Sequence, residues 1–76
     1  MKDLSYRILL RPEPEGGYTV MVPTLPGCIT YGKTIDEARK MAADAIHAYI
    51  ASLRKHGETI VDDSAVLEGT LKIQYG

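Results

Sequence analysis

Apolar and polar residues alternate through residues 4–11 of the chain. The apolar positions are two residues apart and share one side: Leu4, Tyr6, Ile8 and Leu10. A period of two residues is that of a β-strand with one buried face. Residues 12–17 then contain two prolines and two glycines, which remove ladder donors and permit positive φ angles. The sequence therefore predicts a strand followed by a hairpin loop.

Two further strands are predicted after this loop. Alternating apolar residues indicate a second strand over residues 18–22. Pro26 and Gly27 then occupy the second and third positions of a four-residue segment, as in a type II turn. A short third strand over residues 28–31 completes an antiparallel meander.

The next segment carries the clearest helical pattern of the chain. Thr34 and Glu37 form a capping box, in which the threonine hydroxyl accepts from the Glu37 amide and the glutamate carboxylate reaches back. Apolar residues then recur at helical spacing as far as Leu53, and Gly57 is typical of a left-handed C-cap. The pattern predicts a helix of about 22 residues, roughly 33 Å long.

A last strand is predicted where Leu71, Ile73 and Tyr75 alternate with polar residues. The order is then β-β-β-α-β, an α+β fold in a single domain over residues 1–76. A right-handed helical crossover makes the last strand parallel to its neighbour. The shortest connection places it beside the first strand, which gives the strand order 3-2-1-4 with the helix on one face.

The other face of this sheet has no cover from the chain, and Leu9, Met21 and Ile29 would lie there. Such a face is a candidate association surface, although a partly solvated antiparallel sheet is equally ordinary. A chain of 76 residues builds only a small core. We therefore expect a homo-oligomer, a dimer or a tetramer, with this face as the contact.

Composition narrows the classes of function. Nine basic and ten acidic residues give a net charge of −1, whereas direct DNA or RNA binding normally needs an excess of lysine and arginine. No apolar run has the length of a membrane span, and no charged-then-apolar leader opens the chain. These features favour a cytoplasmic globular protein that does not bind a membrane.

Residues that could carry chemistry are few. Cys28 is the single cysteine, and we interpret it as a small buried residue because the sequence places no histidine beside it. His47 and His56 are nine residues apart on one helix, which turns them roughly 180° from each other. They cannot share a metal ion within one chain. We predict no catalytic residue, no metal site and no cofactor.

A meander followed by a helix and a parallel strand is also the opening of the ribonuclease H fold. Two-metal nucleases of that architecture need acidic side chains that project from the sheet into one cluster. The interiors of the predicted strands, residues 6–10, 18–22 and 71–75, contain no Asp or Glu. A divergent nuclease of this type is therefore the weaker alternative.

The order and spacing of several short motifs resemble the HicB family of antitoxins. Over roughly residues 4–61 the matching motifs are Tyr18-Thr19-Val20 into Val22-Pro23, Leu25-Pro26-Gly27-Cys28-Ile29-Thr30-Tyr31-Gly32, Thr34, Glu37-Ala38, Ala45-Ile46, Tyr49-Ile50, Leu53 and Gly57-Glu58. The family pattern usually continues Gly-Glu-x-Ile-Pro, and here Val61 stands in place of the proline. The resemblance implies a partial ribonuclease H-like fold without catalytic acids.

The resemblance also implies a function. HicB-like antitoxins neutralise a small basic toxin of the HicA type, an mRNA-cleaving ribonuclease, by binding it and blocking its active site. This chain would then be a non-enzymatic binding protein. Many members carry a C-terminal DNA-binding segment, and a chain that stops at Gly76 is expected to have no room for one.

A basic toxin favours an acidic patch on its inhibitor, because the two potentials are then complementary. The candidate residues lie in the hairpin and after the helix: Glu13, Glu15, Glu58, Asp62, Asp63 and Glu68. The alternative interpretation of each is an ordinary solvated loop charge. The alternative function is a stand-alone scaffold or ligand-binding domain, which would share the same core and the same lack of chemistry.

Overall fold

The computed structural model describes residues 3–76 and contains three strands followed by one long helix. The elements are β1 (Leu9–Pro12), β2 (Tyr18–Met21), β3 (Ile29–Gly32) and α1 (Ile35–Lys55). The strands form one antiparallel sheet in the order β1-β2-β3. The predicted α+β class, the meander and the long helix are confirmed.

The turn between β2 and β3 has the geometry that its sequence predicts. The Cys28 amide donates to the Leu25 carbonyl oxygen at 2.9 Å, and Gly27 between them has a φ of 79°. A type II turn needs a positive φ at its third position, which glycine adopts without steric cost. This turn sets where β3 begins.

The helix begins and ends at its predicted capping signals. The Glu37 amide donates to the Thr34 hydroxyl at 3.1 Å. The Glu37 carboxylate accepts from the amide of Lys33 at 2.9 Å, one residue before the amide that a standard capping box uses. At the other end Gly57 has a φ of 66°, and its amide donates to a carbonyl of the last helical turn. This is the left-handed C-cap expected of that glycine.

The core lies between α1 and one face of the sheet. Val20 of the central strand and Ala38 of the helix are fully buried, and Ala42 is 1% exposed. A second buried cluster lies farther along the helix and consists of Val22, Leu25 and Cys28. The partly buried residues packed against these clusters include Tyr6, Ile8 and Leu10. The predicted inward side of the first segment is therefore confirmed.

The first strand is shorter than predicted. Pairing with β2 starts at Leu9 and extends to Pro12, whereas residues 4–8 belong to no strand. Opposite those residues β2 has already given way to a turn, in which the Val22 amide donates to the Cys28 carbonyl oxygen. Residues 4–8 therefore have no strand partner on that side, although their alternating side chains still face the helix.

The predicted fourth strand is not confirmed. Within the described residues 3–76, the last seven residues belong to no strand. Leu71, Ile73 and Tyr75 are 86%, 77% and 98% exposed. The order 3-2-1-4, the parallel crossover and the ribonuclease H-like fold therefore stay predictions.

A short stretch of chain after the helix lies beside the first segment, next to Thr24, which follows β2. The Asp63 amide donates to the Ser5 carbonyl oxygen at 2.7 Å. A turn follows at once, because the Val66 amide donates back to the Asp63 carbonyl oxygen at 2.9 Å. An extended segment needs a neighbouring strand for its backbone hydrogen bonds, and residues 70–76 belong to no strand in the described part of the chain.

Candidate functional site

The sheet face turned away from α1 carries three apolar side chains in one line. Leu9 pairs with Met21 across β1 and β2, and Met21 pairs with Ile29 across β2 and β3. Residues directly opposite each other in antiparallel strands share a face, so the three form a single cross-strand row, here called the apolar row. Leu9 is 45% and Ile29 is 61% exposed, and Met21 is half-buried between them. The structure thus brings together the three residues predicted for the uncovered face.

The neighbouring row on the same face contains Arg11, Thr19 and Tyr31. Tyr31 is 46% exposed, and its hydroxyl donates to the Gly16 carbonyl oxygen at 3.1 Å. Sequence reasoning did not assign Tyr31 to this face. The available signal was its spacing of two residues from Ile29, which puts both side chains on one side of a strand.

The two acidic residues of the hairpin lie beside this second row. Glu13 is half-buried, and its carboxylate accepts from the Thr19 hydroxyl at 2.5 Å. Glu15 is exposed in the turn of the hairpin. Because Thr19 belongs to the uncovered face, Glu13 holds a negative charge at one end of that face.

Asp63 differs from the other acidic candidates because it is buried, with 7% of its surface exposed. Its carboxylate accepts from the Thr24 hydroxyl and from the Arg7 amide, the latter at 2.7 Å. The Thr24 bond, followed by the Arg7 amide bond, lowers the pKa of Asp63 from its ordinary value. The carboxylate therefore fixes the chain after the helix to the start of the sheet. It is not presented to solvent.

The other acidic residues after the helix remain at the surface. Asp62 is half-buried, and its carboxylate accepts from the amide of Ser5 and the hydroxyl of Ser64, each at 2.9 Å. Glu68 is exposed and lies 3.9 Å from a guanidinium nitrogen of Arg7. Exposed ion pairs contribute about 0–1 kcal/mol, so this contact does not commit Glu68 to Arg7. Glu58 is exposed directly after the C-cap.

Residues 5–7 and Thr24 are structural partners that sequence reasoning missed. The Tyr6 hydroxyl donates to the Val61 carbonyl oxygen at 2.7 Å. Burial raises the pKa of Tyr6, and the nearby charges of Asp62 and Asp63 raise it further. These contacts join segments more than 50 residues apart, as the 56-residue separation of the Arg7 amide and Asp63 shows. Contacts of this kind leave no periodic signal in the sequence.

Five of the six acidic candidates, all but Glu58, form two groups at opposite ends of the first segment. One group contacts residues 5–7, before β1, and the hairpin group follows Pro12. Extended chain rises about 3.3 Å per residue, so roughly 20 Å separate Arg7 from Glu13. The apolar row starts at Leu9, between the two groups. The uncovered face therefore has an apolar row with acidic side chains towards both ends, beside Arg7 at one end and Arg11 at the other.

The cysteine and one of the histidines have local structural surroundings in the described part of the chain. Among residues 3–76, no three His, Cys, Asp or Glu side chains are placed to hold a metal ion. Burial raises the pKa of the Cys28 thiol, which favours its unreactive protonated form. The Nδ1 atom of His56 lies 2.8 Å from the Ser52 carbonyl oxygen, a local contact at the end of the helix.

No helix within residues 3–76 combines the length and the apolar character that crossing a membrane requires.

Known proteins resemble this chain over most of its length. A family model described as the HicB-like antitoxin of bacterial toxin–antitoxin systems matches residues 6–75. A UPF0150 protein of Thermoplasma acidophilum is 47% identical over 62 residues, which are 82% of this chain and 90% of that protein. Antitoxin HicB 1 of Photorhabdus laumondii is 44% identical over 46 residues, or 60% of this chain, and Antitoxin HicB of Escherichia coli K12 is 42% identical over 43 residues, or 57%.

The two relatives named antitoxins are longer proteins. The matched region spans only 30% of the Photorhabdus protein and 31% of the Escherichia coli protein. The family model, in contrast, covers the three strands, the helix and the segment fixed by Asp63. The chain therefore belongs to the HicB-like antitoxin family of bacterial toxin–antitoxin systems.

Proposed function

We propose that this chain is an antitoxin that neutralises a small mRNA-cleaving ribonuclease toxin of the HicA type by covering the toxin's active site. The family match over residues 6–75 carries the proposal. The surface carboxylates near both ends of the first segment support it, because acidic side chains attract the basic surface of an RNA-binding enzyme. The protein acts by binding and not by catalysis.

The acidic groups supply the electrostatic part of this proposal. An enzyme that binds RNA presents basic side chains to the phosphates. The acidic side chains at both ends of the uncovered face would attract that basic surface, speed the encounter and fix its orientation. The proposed toxin contacts are the surface carboxylates Glu13, Glu15, Glu58, Asp62 and Glu68. Asp63 would act indirectly, because it holds Asp62 and the following turn in place.

The apolar row has a separate role in the proposal. We assign Leu9, Met21 and Ile29 to a contact between copies of this chain, in a cytoplasmic dimer or tetramer. Replacing Ile29, the most exposed member of the row, by Asp would place a charge in that contact. The measurement is the molar mass by light scattering, which we expect to fall.

The function is tested by expressing the neighbouring short reading frame in a bacterial host. We expect that product to arrest growth, and we expect co-expression of this chain to restore growth while the two proteins co-purify. A harmless neighbour that does not bind would contradict the antitoxin role. The chain would then be a stand-alone scaffold or ligand-binding domain.

A charge reversal tests the proposed contacts. Glu15→Lys should weaken toxin binding about tenfold, because an attractive charge of the hairpin becomes repulsive. Asp44→Lys, on an exposed position of α1, is the matched control and should leave binding within twofold. Equal weakening by both changes would show that only the net charge matters, and would remove the hairpin from the contact.

A further inference from the structure

The C-terminal segment exposes one apolar side of a strand pattern. Leu71, Ile73 and Tyr75 are spaced two residues apart and are at least 77% exposed. The residues between them are polar. A period of two with one apolar side predicts a strand that lies against a hydrophobic surface. Within this chain the segment lies against none.

The same chain also exposes an apolar groove. The groove lies between the start of the chain and the flank of α1, with Leu4 and Tyr6 on one side and Ala43, Ile46 and Ile50 on the other. Its polar margin consists of Asp3, His47 and Arg54. Leu4 is 36% exposed, and Ile46 and Ile50 are only partly buried.

Within the described residues β1 is an edge strand of the sheet, because β2 lies on only one side of it. The Glu13 amide donates to the Gly17 carbonyl oxygen in the register of β1 and β2. Hydrogen-bonded pairs alternate along antiparallel strands, so the amides of Leu9 and Arg11 point to β2 and the amide of Leu10 points to the free side. Such an open edge is a template for an added strand.

The chain's own C-terminal segment is exposed and does not line its own groove. The turn that joins Asp63 to Val66 interrupts the path beside the first segment. Glu68 then lies 3.9 Å from Arg7. Arg7 is two residues from Leu9, so its side chain extends on the face opposite to α1. The groove opens on the helix side.

We infer that residues 70–75 of one copy of this chain form a strand on the free edge of β1 in a second copy. Leu71, Ile73 and Tyr75 fill the groove of that copy, and its own segment fills the groove of the first. The exchange is a mode of self-association distinct from the apolar row. It requires no toxin.

The size of the contact fits a stable assembly. Three large side chains bury on the order of 450 Å² when they leave water, so two reciprocal exchanges bury roughly 900 Å² of the segments alone. The covered grooves and strand edges add to this area, and standard interfaces bury about 1,200–2,000 Å² in total. The net charge of −1 does little to oppose the approach of a second copy.

Cross-linking between differently tagged chains tests the exchange directly. A tagged Ile73→Cys chain and an untagged Ile50→Cys chain are unfolded together, refolded and treated with a short bismaleimide. We expect a product that joins one tagged to one untagged chain. Cys28 is buried and should not react in the folded protein. Absence of the mixed product, with an intrachain product from the Ile50→Cys/Ile73→Cys double variant, would place the strand in its own chain and overturn the proposal.

A matched pair of variants provides a second test. Leu71→Asp with Ile73→Asp places charges on the apolar side of the strand, whereas Thr70→Asp with Gln74→Asp adds the same charge to the polar side. The first pair should halve the molar mass measured by light scattering, and the second pair should leave it unchanged. A wild-type protein that remains at the 8.4 kDa of one chain at micromolar concentration would refute the exchange. Protection of residues 70–75 from solvent only when a toxin is added would also refute the exchange.

Discussion

The contact between the end of β3 and the start of α1 offers a sharp test of the packing. Gly32 is buried, and a Cβ atom placed on it would lie 2.3 Å from the backbone nitrogen of Ala38 and 2.5 Å from its Cα atom. Ordinary van der Waals contacts of a Cβ atom are 3.4–4 Å long. The obstacle is helix backbone, which cannot rotate aside. The helix would have to move by about 1 Å from the sheet to admit an alanine.

We expect Gly32→Ala to lower the free energy of unfolding by about 2 kcal/mol. Overpacking costs about 1–3 kcal/mol, and displacement of Ala38 from Val20 adds to it. Alanine also restricts the unfolded chain more than glycine does. Because Gly32 does not have a positive φ, this restriction would add about 0.4–1 kcal/mol to the free energy of unfolding. The steric cost is larger. A domain of this length is stable by roughly 4–11 kcal/mol, so the loss is a substantial fraction of the total.

The assay is urea unfolding followed by far-ultraviolet circular dichroism. Gly69→Ala is the control, since a Cβ atom there meets nothing within 4 Å, and it should change stability by less than about 0.5 kcal/mol. Adding Ala38→Gly to Gly32→Ala should not restore stability, because the clash involves backbone atoms. Wild-type stability of Gly32→Ala would show that the helix does not lie this close to β3. Rescue by Ala38→Gly would show that a side chain is the obstacle.

Three further predictions concern the helix cap, the buried carboxylate and the cysteine. Thr34→Ala removes the cap of α1 and should lower stability by about 1 kcal/mol in the same urea assay. The hydrogen bonds of the Asp63 carboxylate lower its pKa in the folded chain. They therefore stabilise the fold fully above the unfolded pKa of about 3.9. This stabilisation is lost as the pH falls through the lower pKa of the folded chain. Urea unfolding between pH 7 and pH 2 should therefore show a steeper acid loss in the wild type than in Asp63→Asn. Burial also raises the pKa of Cys28, so a thiol reagent at pH 7 should label it slowly in buffer and rapidly in urea. Rapid labelling in buffer would contradict its buried position.

Local patterns in the sequence were enough to predict the features that depend on residues close together in the chain. The capping residues Thr34 and Gly57 mark the two ends of α1, because both act on amides or carbonyls a few residues away. The alternation of apolar residues identified the inward side of the sheet and the three members of the apolar row. These features depend only on periods of two and 3.6 residues.

The sequence was less informative where distant segments meet. The alternation of Leu71, Ile73 and Tyr75 predicted a strand, but a strand also needs a neighbouring edge, and periodicity does not say which chain supplies it. Asp63 was assigned to an acidic surface because a basic partner favours exposed carboxylates and Asp63 lies among the acidic residues after the helix. Its partners, the Arg7 amide and the Thr24 hydroxyl, are far away in the sequence. A backbone amide gives no sequence signal, because every residue except proline has one.

The attachment of Asp63 to the first segment also decides how the domain resists mechanical load. Tension applied to the C-terminus, by a tethered partner or an unfolding machine, reaches the bonds to Ser5 and Arg7 before it reaches α1. Those bonds act as a clamp that must rupture first. In a single copy the residues beyond Val66 lie outside the core, so a pull on them leaves the domain intact until the clamp opens.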